Sequence, residues 1–130
     1  TTLFRSRSLG LAFQIQDDLL DVVADPSNFG KKPAGDIREG KKTFLMLTAL
    51  EHCSYEQKKS ILGYLRNRPL ADEQIDEIIS VYKSTGTLQE ARSQIDGHYS
   101  RAESALEKFD DSTYKQDLSN LINFLKNREI

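Results

Sequence analysis

One cysteine, Cys53, is the whole of the thiol chemistry in a chain of 130 residues. No internal disulfide is possible, and a reducing compartment suits the sequence. Cys53 itself reads as a small apolar residue near a helix end. No charge of one sign dominates. Eighteen lysines and arginines stand against 20 aspartates and glutamates, a net charge of −2, which gives no reason to expect nucleic acid as a partner. No apolar run approaches the ~20 residues that a membrane-spanning helix needs. No secretory signal pattern opens the sequence, so the expectation is a cytoplasmic protein without a membrane span. Internal repeats and low-complexity segments are also missing. What is there, 29% charged and 38% apolar residues, describes a helical protein of one domain's length or a part of a larger one.

The apolar periodicity predicts six helices and no strand. The first runs from about Thr2 to Ala24 and ends before Pro26. An irregular stretch from Asp25 to about Arg38 follows. A second helix is expected from Glu39 to His52. Ser54, with Gln57 three residues on, forms a capping box for the third. Asp72 is expected to cap the fourth, which Gly86 stops. Thr87 and Glu90 read as a second capping box, opening a long helix with an apolar stripe from Leu88 to Phe109. Asp110-Asp111 reads as a cap before a last helix, whose inward positions are Tyr114, Leu118, Leu121, Ile122 and Leu125. Such stripes need partners, so the fold class is all-α, a helical bundle with the first helix at its centre.

That first helix carries the informative pattern. With about 100° per residue and Asp17 at zero, Asp21 falls near 40° and Asp18 near 100°, alongside Gly10, Gln14 and Arg7. Leu9, Ala12, Ile15, Leu19, Leu20, Val22 and Val23 fill most of the remaining circumference. A helix apolar nearly all round is buried. Its acids must then face a cavity, a metal or paired cations, because lone buried charges are too costly. After the break at Asp25-Pro26 comes a loop with Gly30, Gly35 and Gly40, Lys31, Lys32, Lys41 and Lys42. Carboxylates able to hold Mg²⁺, followed by a flexible cationic loop, point to a polyphosphate site. Mg²⁺ commonly takes one or two carboxylates together with phosphate oxygens and water, and lysines neutralise the remaining phosphate charge.

The string Gly10-Leu11-Ala12-Phe13-Gln14-Ile15-Gln16-Asp17-Asp18-Leu19-Leu20-Asp21, with Gly30-Lys31, Gly35-Asp36-Ile37 and Gly40-Lys41-Lys42-Thr43 at the right gaps, resembles the second half of the trans-isoprenyl diphosphate synthases, a family that includes the farnesyl and geranylgeranyl diphosphate synthases. The resemblance lies in the first third of the chain. It implies that residues 1–130 are the C-terminal helices of one isoprenoid synthase-type domain carrying the second aspartate-rich motif, with the first motif and the N-terminal part absent. It also implies a Mg²⁺-dependent prenyltransferase that condenses an allylic diphosphate with isopentenyl diphosphate. A short- or medium-chain product is expected, with a lean to geranylgeranyl diphosphate, and activity in the intact protein rather than in this segment alone. A homodimer, or a helix-swapped assembly, is the implied oligomer.

Carried over residue by residue, the resemblance makes Asp17 and Asp21 direct Mg²⁺ ligands, with Asp18 acting through metal-bound water. Lys31 and Lys41 contact diphosphate, and Asp17, Lys31 and Lys41 form the catalytic set. Gln14 contacts the allylic substrate. Phe13, beside it in sequence, is a further substrate-contact candidate, although helical geometry turns it away from Gln14 and leaves packing as the alternative role. Asp36 either binds metal-bound water or orients Lys41. Lys31-Lys32 stands where many members have one lysine; Lys31 is placed at that position because it follows Gly30 directly. Two rivals remain. One is a non-catalytic helical subunit that binds Mg²⁺-diphosphate and a partner chain. The other, a terpene cyclase, does not need the Gly/Lys loop. Acid clusters on helices are generally solvated faces; the apolar flanks and the ordered Gly/Lys string argue otherwise here. His52, His98 and the five tyrosines read as structural or surface residues.

Overall fold

The computed structural model describes residues 2–23 and 34–128, with side chains in the first segment from Arg7 onward. Seven helices and no strand occur among the described residues: α1 (Thr2–Val23), α2 (Gly35–Arg38), α3 (Phe44–His52), α4 (Tyr55–Arg66), α5 (Asp72–Ser84), α6 (Thr87–Leu106) and α7 (Thr113–Lys126). The all-α class expected from periodicity is the observed one. The main seam joins α1 to α6. Ala12, Ile15 and Leu19 of α1 are buried together with Ala91, Ile95, Tyr99, Ala102 and Leu106 of α6. Steps of three and four along both helices keep each set on one face. Leu45, Met46 and Ala49 of α3 and Ile75, Ile78, Val81 and Tyr82 of α5 continue the same core.

The helix boundaries correct several expectations. The second predicted helix does not begin at Glu39. Gly40, at φ 70, stops the short α2 instead, and its N–H donates to the carbonyl of Ile37 at 3.0 Å. Thr43 then caps α3, which starts at Phe44, five residues later than expected, the Thr43 Oγ1 accepting the N–H of Met46 at 3.2 Å. Ala71 precedes α5 where Asp72 was expected to cap, and Asp72 is instead the first helical residue. The Thr87–Glu90 capping box is absent. Gly86, at φ 74, precedes α6, and the buried Thr87 hydroxyl bonds that of Thr85 at 2.7 Å. Gly86 does stop α5 as expected, its N–H reaching the carbonyl of Lys83. At α7 the cap is Ser112, not the aspartate pair, and Asp111 faces Lys115 at 3.3 Å. Tyr114 and Leu121 point outward; only Ile122 of the expected inward set is fully buried.

The box at Ser54 is present as read. Its Oγ accepts the N–H of Gln57 at 3.1 Å, and the Gln57 side chain accepts the N–H of Ser54 at 3.0 Å. Removing one such cap costs about 1 kcal/mol. Ser54→Ala is therefore expected to lower the melting temperature by about 2–4 °C in calorimetry, with no change in helical content at 25 °C.

Candidate active site

Helix α1 is long enough to bury one face on α6 and still meet α2 and α3. Two of its carboxylates fasten the segments that follow. The Asp21 carboxylate accepts the backbone N–H of Asp36 at 3.0 Å, and the Asp21 carbonyl accepts the N–H of Ala34 at 3.0 Å. Asp21 thus stands at the start of α2, whose own N-cap, the buried Ala34 at φ 60, offers no side-chain acceptor. A Cβ on Gly35 would lie 3.4 Å from Asp21 Oδ1, an ordinary contact, so Asp21 stands directly against the first residue of α2. Asp18 accepts the backbone N–H of Phe44, the first residue of α3. Both carboxylates therefore sit at helix N-termini, where N–H groups without intrahelical partners favour negative charge.

The one expected diphosphate lysine among the described residues is paired with acids of its own segment. Lys41 pairs with Asp36 at 3.4 Å and with Glu39 at 3.2 Å. Its backbone N–H also returns to the carbonyl of Asp36. Glu39 and Asp36 thus hold Lys41 together, and the Lys41 charge reaches Asp21 only through space. Hydrogen bonding and charge from Glu39, then Asp36, push the Lys41 pKa up, so the amine is firmly cationic. Lys31 and Lys32 lie outside the described residues.

The electrostatics of the acids are uneven. Burial, then the Asp36 charge, push Asp18 up to about 6, with Asp17 and Asp21 adding to the rise and the Phe44 N–H opposing it. Asp21 is also raised, by burial first, against the pull of the Asp36 N–H. Beneath them the fully buried Tyr82 hydroxyl is pushed up by burial and by the charges of Asp18, Asp36 and Asp21. Asp17 is the exposed member: its side chain is 61% accessible and meets Arg128 at 3.4 Å. The Arg128 guanidinium also covers the Phe13 ring at 4.4 Å. Phe13 is 41% exposed and shares this cation with Asp17, rather than turning away as packing. Gln14 is exposed.

Among the described residues no three carboxylate, imidazole or thiolate groups form a metal cage on their own. The donor set nevertheless fits Mg²⁺, which needs few protein ligands and takes hard oxygens from elsewhere. The crowding of the half-buried Asp18 by Asp36, Asp17 and Asp21 is what a bound cation would relieve. It also has a stability consequence. A folded-state pKa above the unfolded value means the folded state binds more protons between about pH 4 and pH 6. Without divalent cation, the Asp18 contribution is thus present below pH 4 and is lost as pH rises through about 6. Thermal unfolding of Asp18→Asn in chelator is expected to show a higher midpoint than the parent at pH 7. The two should converge toward pH 4.

Several residues of the site escaped sequence reading. Gln16 is fully buried and accepts the Tyr99 hydroxyl at 2.6 Å. It also accepts Arg128 Nη2 at 3.0 Å and donates to the carbonyl of Leu125 at 2.9 Å. The available signal was a lone amide on the apolar side of α1, which must find buried partners.

The fold and this acid-bearing helix with its lysine loop define an all-helical protein of the isoprenoid synthase type. Comparison carries the assignment further: residues 5–82 match the polyprenyl synthetase family, and the chain belongs to it. A short chain isoprenyl diphosphate synthase of Methanocaldococcus jannaschii is 44% identical over 78 residues, covering 60% of this chain and 24% of that protein. Another, from Methanothermobacter thermautotrophicus, is 34% identical over 124 residues, 95% of this chain and 37% of that protein. The crystal structure of a geranylgeranyl pyrophosphate synthase from Corynebacterium glutamicum, complexed with isoprenyl diphosphate and magnesium, superposes with a TM-score of 0.84. It is 30% identical, with 98% of this chain and 36% of that one covered. The chain thus spans roughly a quarter to two fifths of the length of the curated relatives described above.

Proposed function

We propose that this chain is the C-terminal part of an isoprenoid synthase-type domain. It would supply the second acidic motif of a Mg²⁺-dependent trans-prenyltransferase that joins an allylic diphosphate to isopentenyl diphosphate. The observation that carries the reading is the clustering of Asp17, Asp18 and Asp21 at one end of α1, with the Asp36–Lys41 pair fastened beside them by Asp21. The difficult step in such chemistry is departure of diphosphate, as its negative charge develops before the new carbon–carbon bond forms. Asp17 and Asp21 would hold Mg²⁺, with Asp18 placed to act through its water. When bound, the metal supplies charge stabilisation to the leaving group. Lys41, locked cationic by Asp36 and Glu39, offers the same phosphate oxygens a preorganised positive charge. Lys31 is assigned the matching role. Gln14 and Phe13 lie on the exposed side of α1, next to Asp17, where the allylic end of the substrate would sit.

Relatives named for geranylgeranyl, nonaprenyl and octaprenyl diphosphate all match this chain. The match therefore does not distinguish one product length from another. Geranylgeranyl diphosphate is the first product to seek. The proposal includes a cytoplasmic location. No helix among the described residues is long and apolar enough to cross a membrane. Tyr114, Leu121 and Phe124 of α7 remain exposed here, and exposed apolar groups support the proposal of a homo-oligomer. The test is an assay of the intact protein with isopentenyl diphosphate and allylic donors of increasing length, in Mg²⁺ and in chelator. Metal-dependent chain elongation is expected. Binding of Mg²⁺-diphosphate without turnover would favour the non-catalytic subunit instead.

A further inference from the structure

Arg128 is held from three sides. Its Nη2 donates to Gln16 Oε1 at 3.0 Å, its Nη1 lies 3.4 Å from Asp17 Oδ1, and its plane covers Phe13 at 4.4 Å. Gln16 cannot turn away. Its Nε2 donates to the carbonyl of Leu125, so Oε1 faces the Tyr99 hydroxyl and the guanidinium together. A flipped amide would set its N–H groups against a cation that accepts nothing. The guanidinium Nε is buried and has no hydrogen-bond partner among the described residues. The group is therefore not placed to satisfy its own donors; it spans the buried amide and the exposed carboxylate.

On the reading that Asp17 is a metal ligand, we propose that Arg128 is a positioning residue and resident counter-ion. It orients Asp17 and occupies its charge until a divalent cation arrives. A cation bound at Asp17 meets the guanidinium as a like charge, and Gln16 resists its withdrawal. Metal alone is thus held weakly by the free protein.

The test uses the intact protein, titrated with Mg²⁺ alone and with Mg²⁺ plus inorganic diphosphate in a calorimeter. Arg128→Gln is expected to bind Mg²⁺ alone roughly 5-fold or more tightly than the parent, the size of an ordinary coupling between two sites. Arg128→Lys keeps the charge and should stay near the parent value. A purely structural arginine predicts unchanged or weaker metal binding in Arg128→Gln, and that result overturns the inference. If the parent binds diphosphate with Mg²⁺ but Arg128→Gln gains nothing, only this inference falls. If no protein binds metal under either condition, the functional reading falls with it. Asp17→Asn gives a second measurement that does not require altering Arg128. The amides of Asn127 and Arg128 are bonded to the carbonyls of Asn123 and Leu125. Loss of the Asp17 charge should speed their hydrogen exchange several-fold in metal-free protein, and unchanged exchange counts against the coupling.

Discussion

Asp17→Ala in the intact protein is expected to lower turnover on the order of 10³-fold while leaving the fold in place. A metal ligand contributes several kcal/mol to stabilising charge in the transition state, and each 1.4 kcal/mol is about tenfold in rate. Against that, Asp17 contributes little to folding. Its side chain is 61% accessible and its ion pair is with Arg128 at 3.4 Å, and an exposed pair is worth only about 0–1 kcal/mol. The measurement is a pair: steady-state rates at saturating Mg²⁺, and a melting curve in chelator. Large loss of rate with a midpoint within about 3 °C of the parent is the expected signature. A variant within tenfold of the parent rate would remove Asp17 from the site. Asp21→Ala makes the contrast. It deletes a proposed ligand and also the carboxylate that holds the start of α2, so rate and stability should fall together.

That contrast shows what a linear pattern can and cannot reveal. The angular positions of Asp17, Asp18 and Asp21 on one helix are a property of the α-helix itself, and α1 runs as expected through all of them. The ends of the short elements were less legible. Helix α2 has four residues, too few to be stable from local propensity. Asp21, fifteen positions earlier, holds its first turn. No local signal encodes such a long-range contact. Gly40 was a readable stop, since a glycine at φ 70 ends a helix without strain, but the lysines beside it look like ordinary helix formers. Thr87 shows the opposite failure. It has the residue type and spacing of a cap, yet Gly86 takes the turn and the Thr87 hydroxyl is spent on Thr85.

The charge pattern of the site was legible in composition and not in pairing. The sequence assigned acids to metal and lysines to diphosphate and left their own side-chain partners open. In the fold, Lys41 is held by Asp36 and Glu39, while Asp17 finds its cation in Arg128, more than a hundred residues away in the chain. Side-chain pairing is settled by which helices touch. The contact of α1 with α6 and α7 brings Tyr99, Leu125 and Arg128 to a single glutamine, Gln16.

Gln16→Leu is accordingly expected to be among the most destabilising single changes in this chain. Leucine has a similar volume, so no large cavity results. The loss lies in the partners. The Tyr99 hydroxyl, on a side chain about 1% exposed, loses its acceptor. The Leu125 carbonyl keeps the backbone N–H of Arg128 but loses its shorter bond from Gln16, and one arm of the Arg128 guanidinium is left against hydrocarbon. Each abandoned buried polar group costs about 1–3 kcal/mol, more when it is charged. Relaxation of the end of α7 toward water recovers part of this, so a net loss of about 3 kcal/mol is expected. The midpoint should fall by roughly 5–10 °C. Tyr99→Phe deletes one of the three contacts together with its donor and should cost only about 1 kcal/mol. The double variant Gln16→Leu/Tyr99→Phe should then be less destabilised than the sum of the two changes, because the phenylalanine ring no longer brings an orphaned hydroxyl against the leucine. Strict additivity in that cycle would mean that the amide and the hydroxyl do not act through each other, and the α1–α6–α7 junction would have to be held by apolar contact alone.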